Sequence, residues 1–254
     1  MEGRTGRKPG KPVQHANKAM FGQNMTFAAK EAYKLLRTNL LFSLPEAVEG
    51  KARIIGITSS IRGEGKSTTT INLATTLAEQ GERVLIVEGD LRLPSIHQKV
   101  KVAPKPGLSN ILVTRADPEP YIHHVEVGQV NGVPIVIDVL TAGDIPPNPS
   151  ELIGSGRMKR RLEQLAGSYQ FILLDLPPVT AVTDALVATK IVDGIVMVVR
   201  NERADGGSLK EAMRQLSLVD AKILGFVYTC AGSSSSGYRR KYKYSYYSDY
   251  ESRR

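Results

Sequence analysis

Short apolar, β-branched runs recur along the chain at residues 53–58, 83–87, 134–140, 169–174, 194–199 and 222–229. Each is nearly continuous in Val, Ile and Leu, as expected of a strand buried on both faces rather than one alternating between core and water. Between them lie stretches with apolar residues at three- and four-residue steps: 66–80, 149–165, 181–190 and 208–218. These predict helices. An earlier stretch, 31–42, repeats Ala32, Leu35, Leu36 and Leu40 and predicts one more. Strands alternating with helices imply an α/β fold with a mostly parallel central sheet and helices on both faces.

Residues 1–27 lack this periodicity and are rich in Gly, Lys, Pro and Asn, so they read as a flexible basic tail. The Ala231–Gly237 stretch, AGSSSSG, reads as a linker. The expected organisation is a tail at 1–27, one nucleotide-binding domain at 28–236, and a disordered tail at 237–254. No run of about eighteen apolar residues occurs, and the N-terminal region has no apolar secretory core, so a cytoplasmic location is expected. Cys230 is the single cysteine, which fits a reducing compartment.

The formal charge of +9 suggests nucleic acid until it is located. Residues 1–20 carry +4 and residues 237–254 carry +4, so the 216 residues between them carry only +1. The body is nearly neutral. Basic tails can touch anionic lipid, nucleic acid or phosphate, or simply keep the chain soluble.

The strongest motif is Ser60-Ile61-Arg62-Gly63-Glu64-Gly65-Lys66-Ser67, placed after one expected strand and opening the helix at Lys66. A phosphate loop requires that strand–loop–helix setting. Gly63 and Gly65 let the backbone turn its N–H groups toward phosphate oxygens, and the helix N-terminus adds partial positive charge. Lys66 would reach the outer phosphates, and Ser67 would offer a hydroxyl to Mg²⁺. The first position is Ser where the usual pattern has Gly. Two further apolar strands run into carboxylates, one at Glu88-Gly89-Asp90-Leu91-Arg92 and one at Asp175. Either alone would suit a solvated strand end; with the phosphate loop they suggest Mg²⁺ ligands, Asp175 in the Walker B role. The four histidines show no metal-ligand spacing with other candidates.

Six of the ten tyrosines crowd between 238 and 250: Tyr238, Tyr242, Tyr244, Tyr246, Tyr247 and Tyr250. Alternating with Arg, Lys and Ser, they could form a sticky tail for RNA or another partner. Beside an ATP site they read better as phosphate acceptors.

With these motifs in view, the chain resembles the bacterial tyrosine kinases (BY-kinases) of capsule and exopolysaccharide synthesis over residues 28–254. The shared features are Glu64-Gly65-Lys66-Ser67, the D-x-D-x-R counterpart at Glu88–Arg92, Asp175-Leu176-Pro177-Pro178, the stretch from Gly143 to Leu152, and the tyrosine tail. The resemblance implies a P-loop NTPase-type three-layer sandwich with ATP and Mg²⁺ as cofactors. Gly63, Glu64, Gly65, Lys66, Ser67 and Thr68 would hold nucleotide; Ser67, Asp90 and Asp175 would hold metal. Lys66, Glu88, Asp90 and Asp175 would carry catalysis, with Glu88, one methylene longer than the family's Asp, as base. The family's E-x-x-R-x-x-R helix, which packs subunits into a ring, corresponds to Glu31, Lys34 and Arg37. Further expectations are phosphorylation of the tail in trans, protein substrates, a separate transmembrane activator that recruits the chain to the inner face of the membrane, a cognate tyrosine phosphatase, and no nucleic-acid partner. Competing readings are a MinD/ParA-like ATPase switch, which would carry a lysine where Ile61 stands; a GTPase, for which no base-reading NKxD-like motif is present; and a nucleotide-gated scaffold without kinase activity.

Overall fold

The computed structural model describes residues 14–15, 25–46, 48, 50–201 and 206–230. The tail tyrosines lie outside them.

Among the described residues, eight strands form one sheet: β1 (Gln14–His15), β2 (Arg53–Ser59), β3 (Val84–Glu88), β4 (His123–Val130), β5 (Val133–Leu140), β6 (Phe171–Asp175), β7 (Gly194–Arg200) and β8 (Ile223–Thr229). Their order is β1-β4-β5-β3-β6-β2-β7-β8, and every pair is parallel except β4 with β5. Strand β2, which feeds the phosphate loop, is flanked by β6 and β7. Every residue of β3 and β6 is buried, as their unbroken apolar sequences anticipate.

Among the described residues, eight α-helices accompany the sheet: α1 (Phe27–Ser43), α2 (Lys66–Ala78), α3 (Ile96–Val100), α4 (Leu108–Thr114), α5 (Pro149–Ile153), α6 (Gly156–Ala166), α7 (Asp184–Ala188) and α8 (Gly206–Leu218). They divide the buried side chains into two cores. One, under α4, α6 and α8, includes Leu85, Ile172, Leu174 and Met197; the other, under α1 and α2, includes Ile55, Ile71, Leu173 and Val198. Leu173 and Leu174, adjacent in β6, feed opposite cores because strand side chains alternate faces. The three-layer expectation is thereby met.

Several elements differ from the sequence reading. Gln14–His15, inside the segment read as a tail, pairs with β4 at the sheet edge. The helix expected at 149–165 is broken: Gly154 ends α5 beside Val187, and the Ser155 hydroxyl caps α6 by accepting from the Met158 amide at 3.2 Å. The helix expected at 181–190 shortens to the five residues of α7. Strand β4 was not anticipated. It turns into β5 through Asn131 and Gly132, at φ 51° and 77°, the left-handed pair that a two-residue hairpin turn requires. Helices α3 and α4 are too short for periodicity to reveal.

Candidate active site

The carboxyl ends of β2, β3 and β6 converge on an open cleft of about 390 Å³. The loop after β2 lines it with Arg62, Gly63, Gly65, Lys66, Ser67 and Thr68; Asp90, Arg92, Leu93, Ser95 and Lys99 face them, and Pro177, Pro178 and Arg200 complete the wall. Gly63 and Gly65 have φ of 84° and 100°, a conformation that disfavours any side chain and lets the loop wrap inward. The expected Lys66, Ser67 and Thr68 are thus brought to the cleft together.

Ser60, which stands where the usual pattern has glycine, is buried in this loop. Its hydroxyl donates to the Glu64 carboxylate at 2.8 Å, which also accepts from the Ile61 amide at 3.0 Å and the Arg200 amide at 3.2 Å. Glu64 is fully buried and does not line the cleft. Its side chain therefore braces the loop, which leaves its backbone N–H as the group that can face a phosphate. The Thr180 hydroxyl holds the same turn from outside by donating to the Ser60 carbonyl at 2.6 Å.

Asp175 sits at the end of β6, in register beside Glu88 of β3. Its carboxylate accepts from Ser67 Oγ at 2.7 Å and Thr70 Oγ1 at 3.3 Å. Burial pushes its pKa up to about 7; the Lys66 ammonium and the Ser67 hydroxyl pull it down. Such a carboxylate is uncomfortable without a cation, so the donor set fits Mg²⁺: hard oxygens from Ser67, Asp175 and Asp90, with Ser95 Oγ 2.9 Å from Ser67 Oγ. Among the described residues no group of three His, Cys, Asp or Glu could hold a metal unaided, so phosphate oxygens would have to complete the shell. Asp90 lines the cleft, and its pKa too is raised by burial.

Glu88 is placed differently from expectation. Its carboxylate is fully buried, absent from the cleft wall, and accepts from the amides of Ser95 (2.5 Å), Ile96 (2.5 Å) and Ala142 (3.2 Å), with His97 Nδ1 3.6 Å away. It ties the first residues of α3 to β3. A carboxylate so engaged is poorly placed to take a proton from a substrate in the cleft.

An unanticipated network holds Arg92. Its guanidinium grips the buried Asp184 of α7 through Nε at 3.0 Å and Nη2 at 3.1 Å, and Nη2 also donates to Ser150 Oγ of α5 at 3.2 Å. Ser150 in turn donates to Asp184 and accepts from Thr183. Nothing local in sequence announces this network, because its members come from three segments that only the fold assembles.

The expected ring residues do not reach the cleft. On α1, Lys34 Nζ pairs with Glu31 at 2.8 Å on the exposed surface. Arg37 donates to the Thr76 carbonyl near the end of α2 at 2.6 Å, tying α1 to its own domain.

A family model described as an AAA domain matches residues 52–222. The chain is 34% identical over 197 residues to the tyrosine-protein kinase YwqD of Bacillus subtilis (strain 168), covering 78% of this chain and 79% of that one. It is 35% identical over 197 residues to the putative tyrosine-protein kinase CapB of Staphylococcus aureus, covering 78% and 82%. The solved kinase domain of Escherichia coli tyrosine kinase ETK superposes with a TM-score of 0.74 at 28% identity, covering 92% of this chain and 89% of that one.

Proposed function

Because the chain belongs to the bacterial tyrosine-protein kinases, we propose that it phosphorylates its own tail, moving the γ-phosphoryl of Mg-ATP to tyrosines among Tyr238, Tyr242, Tyr244, Tyr246, Tyr247 and Tyr250. The observation that carries this reading is the meeting of Lys66, Ser67, Asp90 and Asp175 around one cleft. Backbone N–H groups from Gly63 to Thr68 would cradle the phosphates. Lys66 would neutralise charge gathering on the transferring group. Magnesium held by Ser67, Asp175 and Asp90 would screen the phosphate oxygens. As the tyrosine oxygen bonds to the γ-phosphorus, the bond to the bridging oxygen breaks and its electron pair leaves with ADP. Asp90, which lines the cleft, is the proposed acceptor of the tyrosine proton, with Glu88 positioning Ser95 and α3 behind it.

The tail follows β8 and, at roughly 3.3 Å per residue, its last seventeen residues span about 55 Å, enough to enter a neighbour's cleft. Transfer in trans within a ring built on Glu31, Lys34 and Arg37 is part of the proposal, as are other protein substrates and control of capsule or exopolysaccharide synthesis and chain length. A separate transmembrane activator recruiting a cytoplasmic chain, and a phosphatase that resets it, complete the reading. Among the described residues no helix is long and apolar enough to cross a membrane.

Mixing a chain lacking residues 237–254 with a tagged Lys66→Ala full chain and Mg-ATP tests the proposal. Mass spectrometry is expected to find phosphotyrosine on the tail of the Lys66→Ala chain. Phosphate found only outside the tail would overturn the assignment of acceptors, and none on the Lys66→Ala chain would overturn transfer in trans.

A further inference from the structure

A second cavity, of about 410 Å³, opens at the opposite end of the sheet, where β2, β3 and β6 begin. Lys51 and Arg53 enter it from the start of β2, Arg83 from the loop before β3, and Tyr169 from the loop before β6. The backbone around it is well tied. The Arg83 amide donates to Gln170 Oε1 at 2.7 Å, the Gln170 amide to the Arg83 carbonyl at 3.0 Å, and the Arg53 amide to the Gln170 carbonyl at 2.9 Å.

Two observations mark this cavity as an anion site. Lys51, Arg53 and Arg83 form no ion pair among the described residues, and the single carboxylate on the wall is Glu82. The Arg53 Nε is also buried with no hydrogen-bond partner, while its guanidinium carbon stacks 5.5 Å from the centre of the Phe171 ring. A buried guanidinium donor left unsatisfied costs free energy that an incoming acceptor would recover. Three cations against one carboxylate suit a dianion better than a monoanion. The Tyr169 ring and the aliphatic stems of Lys51 and Arg53 offer a flat apolar wall beside the charge. A dianion borne on an aromatic ring satisfies both halves of the cavity.

We propose that this pocket binds the phosphotyrosyl side chains of the protein's own C-terminal tail, from the same or a neighbouring copy. The inference rests on the tail being the phosphate acceptor. Each phosphate adds about −1.5 to −2 charges, so phosphorylation of all six tail tyrosines turns a segment of +4 strongly anionic. A phosphorylated tail would be repelled by a cleft already holding ATP and carboxylates and drawn to the cationic pocket at the other end of the sheet. The pocket would then retain product tails and clear the cleft for the next acceptor.

The test uses full-length, phosphatase-treated protein with its cleft filled by a non-hydrolysable Mg-ATP analogue. Fluorescence anisotropy then follows a labelled peptide of residues 238–250, synthesised with phosphate on Tyr244 and Tyr246 or with none. Chemical synthesis makes the binding result independent of kinase activity, so failure of the pocket and failure of the kinase reading are distinguishable. The phosphopeptide is expected to bind at least tenfold more tightly than the plain peptide. Arg83→Gln, at an exposed side chain, and Arg53→Gln should each remove most of that difference while analogue binding is unchanged. Autophosphorylated protein should refuse added phosphopeptide, as a monomer if the tail folds back on its own chain and at higher mass if it reaches another copy. Equal binding of the two peptides would overturn the proposal. So would phosphopeptide binding that survives Arg83→Gln and Arg53→Gln, or competition by inorganic phosphate with no binding of peptide.

Discussion

Asp175 is the residue whose burial and chemistry pull hardest in opposite directions. In the unfolded chain its carboxyl titrates near the ordinary value of 3.8, and in the folded chain near 7. Between those values the native state holds the extra proton, so stability falls as pH rises through this window and the full penalty is present above pH 7. About three pH units correspond to a few kcal/mol, on the order of 4. Asp175→Asn mimics the protonated form, so its melting temperature without nucleotide should match wild type only at or below about pH 4, with a gap that widens as pH rises and reaches several degrees at about pH 8. The same variant should lose phosphotransfer, since an amide cannot replace a carboxylate toward Mg²⁺. A pH-independent difference in calorimetry would show that Asp175 is charged and compensated in the apo protein.

Glu88 illustrates a different balance. Its three backbone partners occupy most of its acceptor capacity, two of them on Oε1, and hold the carboxylate away from the cleft. Glu88→Gln replaces an acceptor with a donor facing amide groups, a loss of about 1–3 kcal/mol. The variant is expected to melt several degrees lower and to lose activity in proportion to the misplacement of α3. Wild-type stability combined with a loss of about a hundredfold or more in rate would restore Glu88 as the base.

At the scale of elements, the strand–loop–helix unit around Lys66 was legible because its signal is local: an apolar strand, glycines at fixed offsets and a lysine at the helix start. The six apolar runs became strands for the same reason. Strand β4 escaped although Asn131-Gly132 announces a hairpin, because its polar alternation, with His124, Glu126 and Gln129 set among valines, differs from the buried parallel strands. The Arg92–Asp184–Ser150 network was not legible, since long-range pairing leaves no trace in spacing. It gives its own prediction. Arg92→Lys keeps the charge but loses the two-pronged grip on Asp184, leaving a buried carboxylate half satisfied. The melting temperature should fall by several degrees in a thermal scan. An unchanged midpoint would mean that Ser150 and Thr183 suffice to hold Asp184.

For the whole molecule, the sheet order brings the carboxyl ends of three central strands together around one cleft and leaves the cationic pocket at their opposite ends. The neutral body and basic ends fit this division, with chemistry in the domain and its proposed acceptors on a tail whose charge phosphorylation would reverse. The central claim is that Lys66 serves an ATP-dependent tyrosine kinase. Purified wild-type and Lys66→Ala chains, matched for circular dichroism, are incubated with Mg-ATP carrying radioactive γ-phosphate, and phosphotyrosine is counted. The account predicts strong labelling of wild type and none above background in Lys66→Ala, with both proteins equally folded. Equal labelling of the two would contradict it.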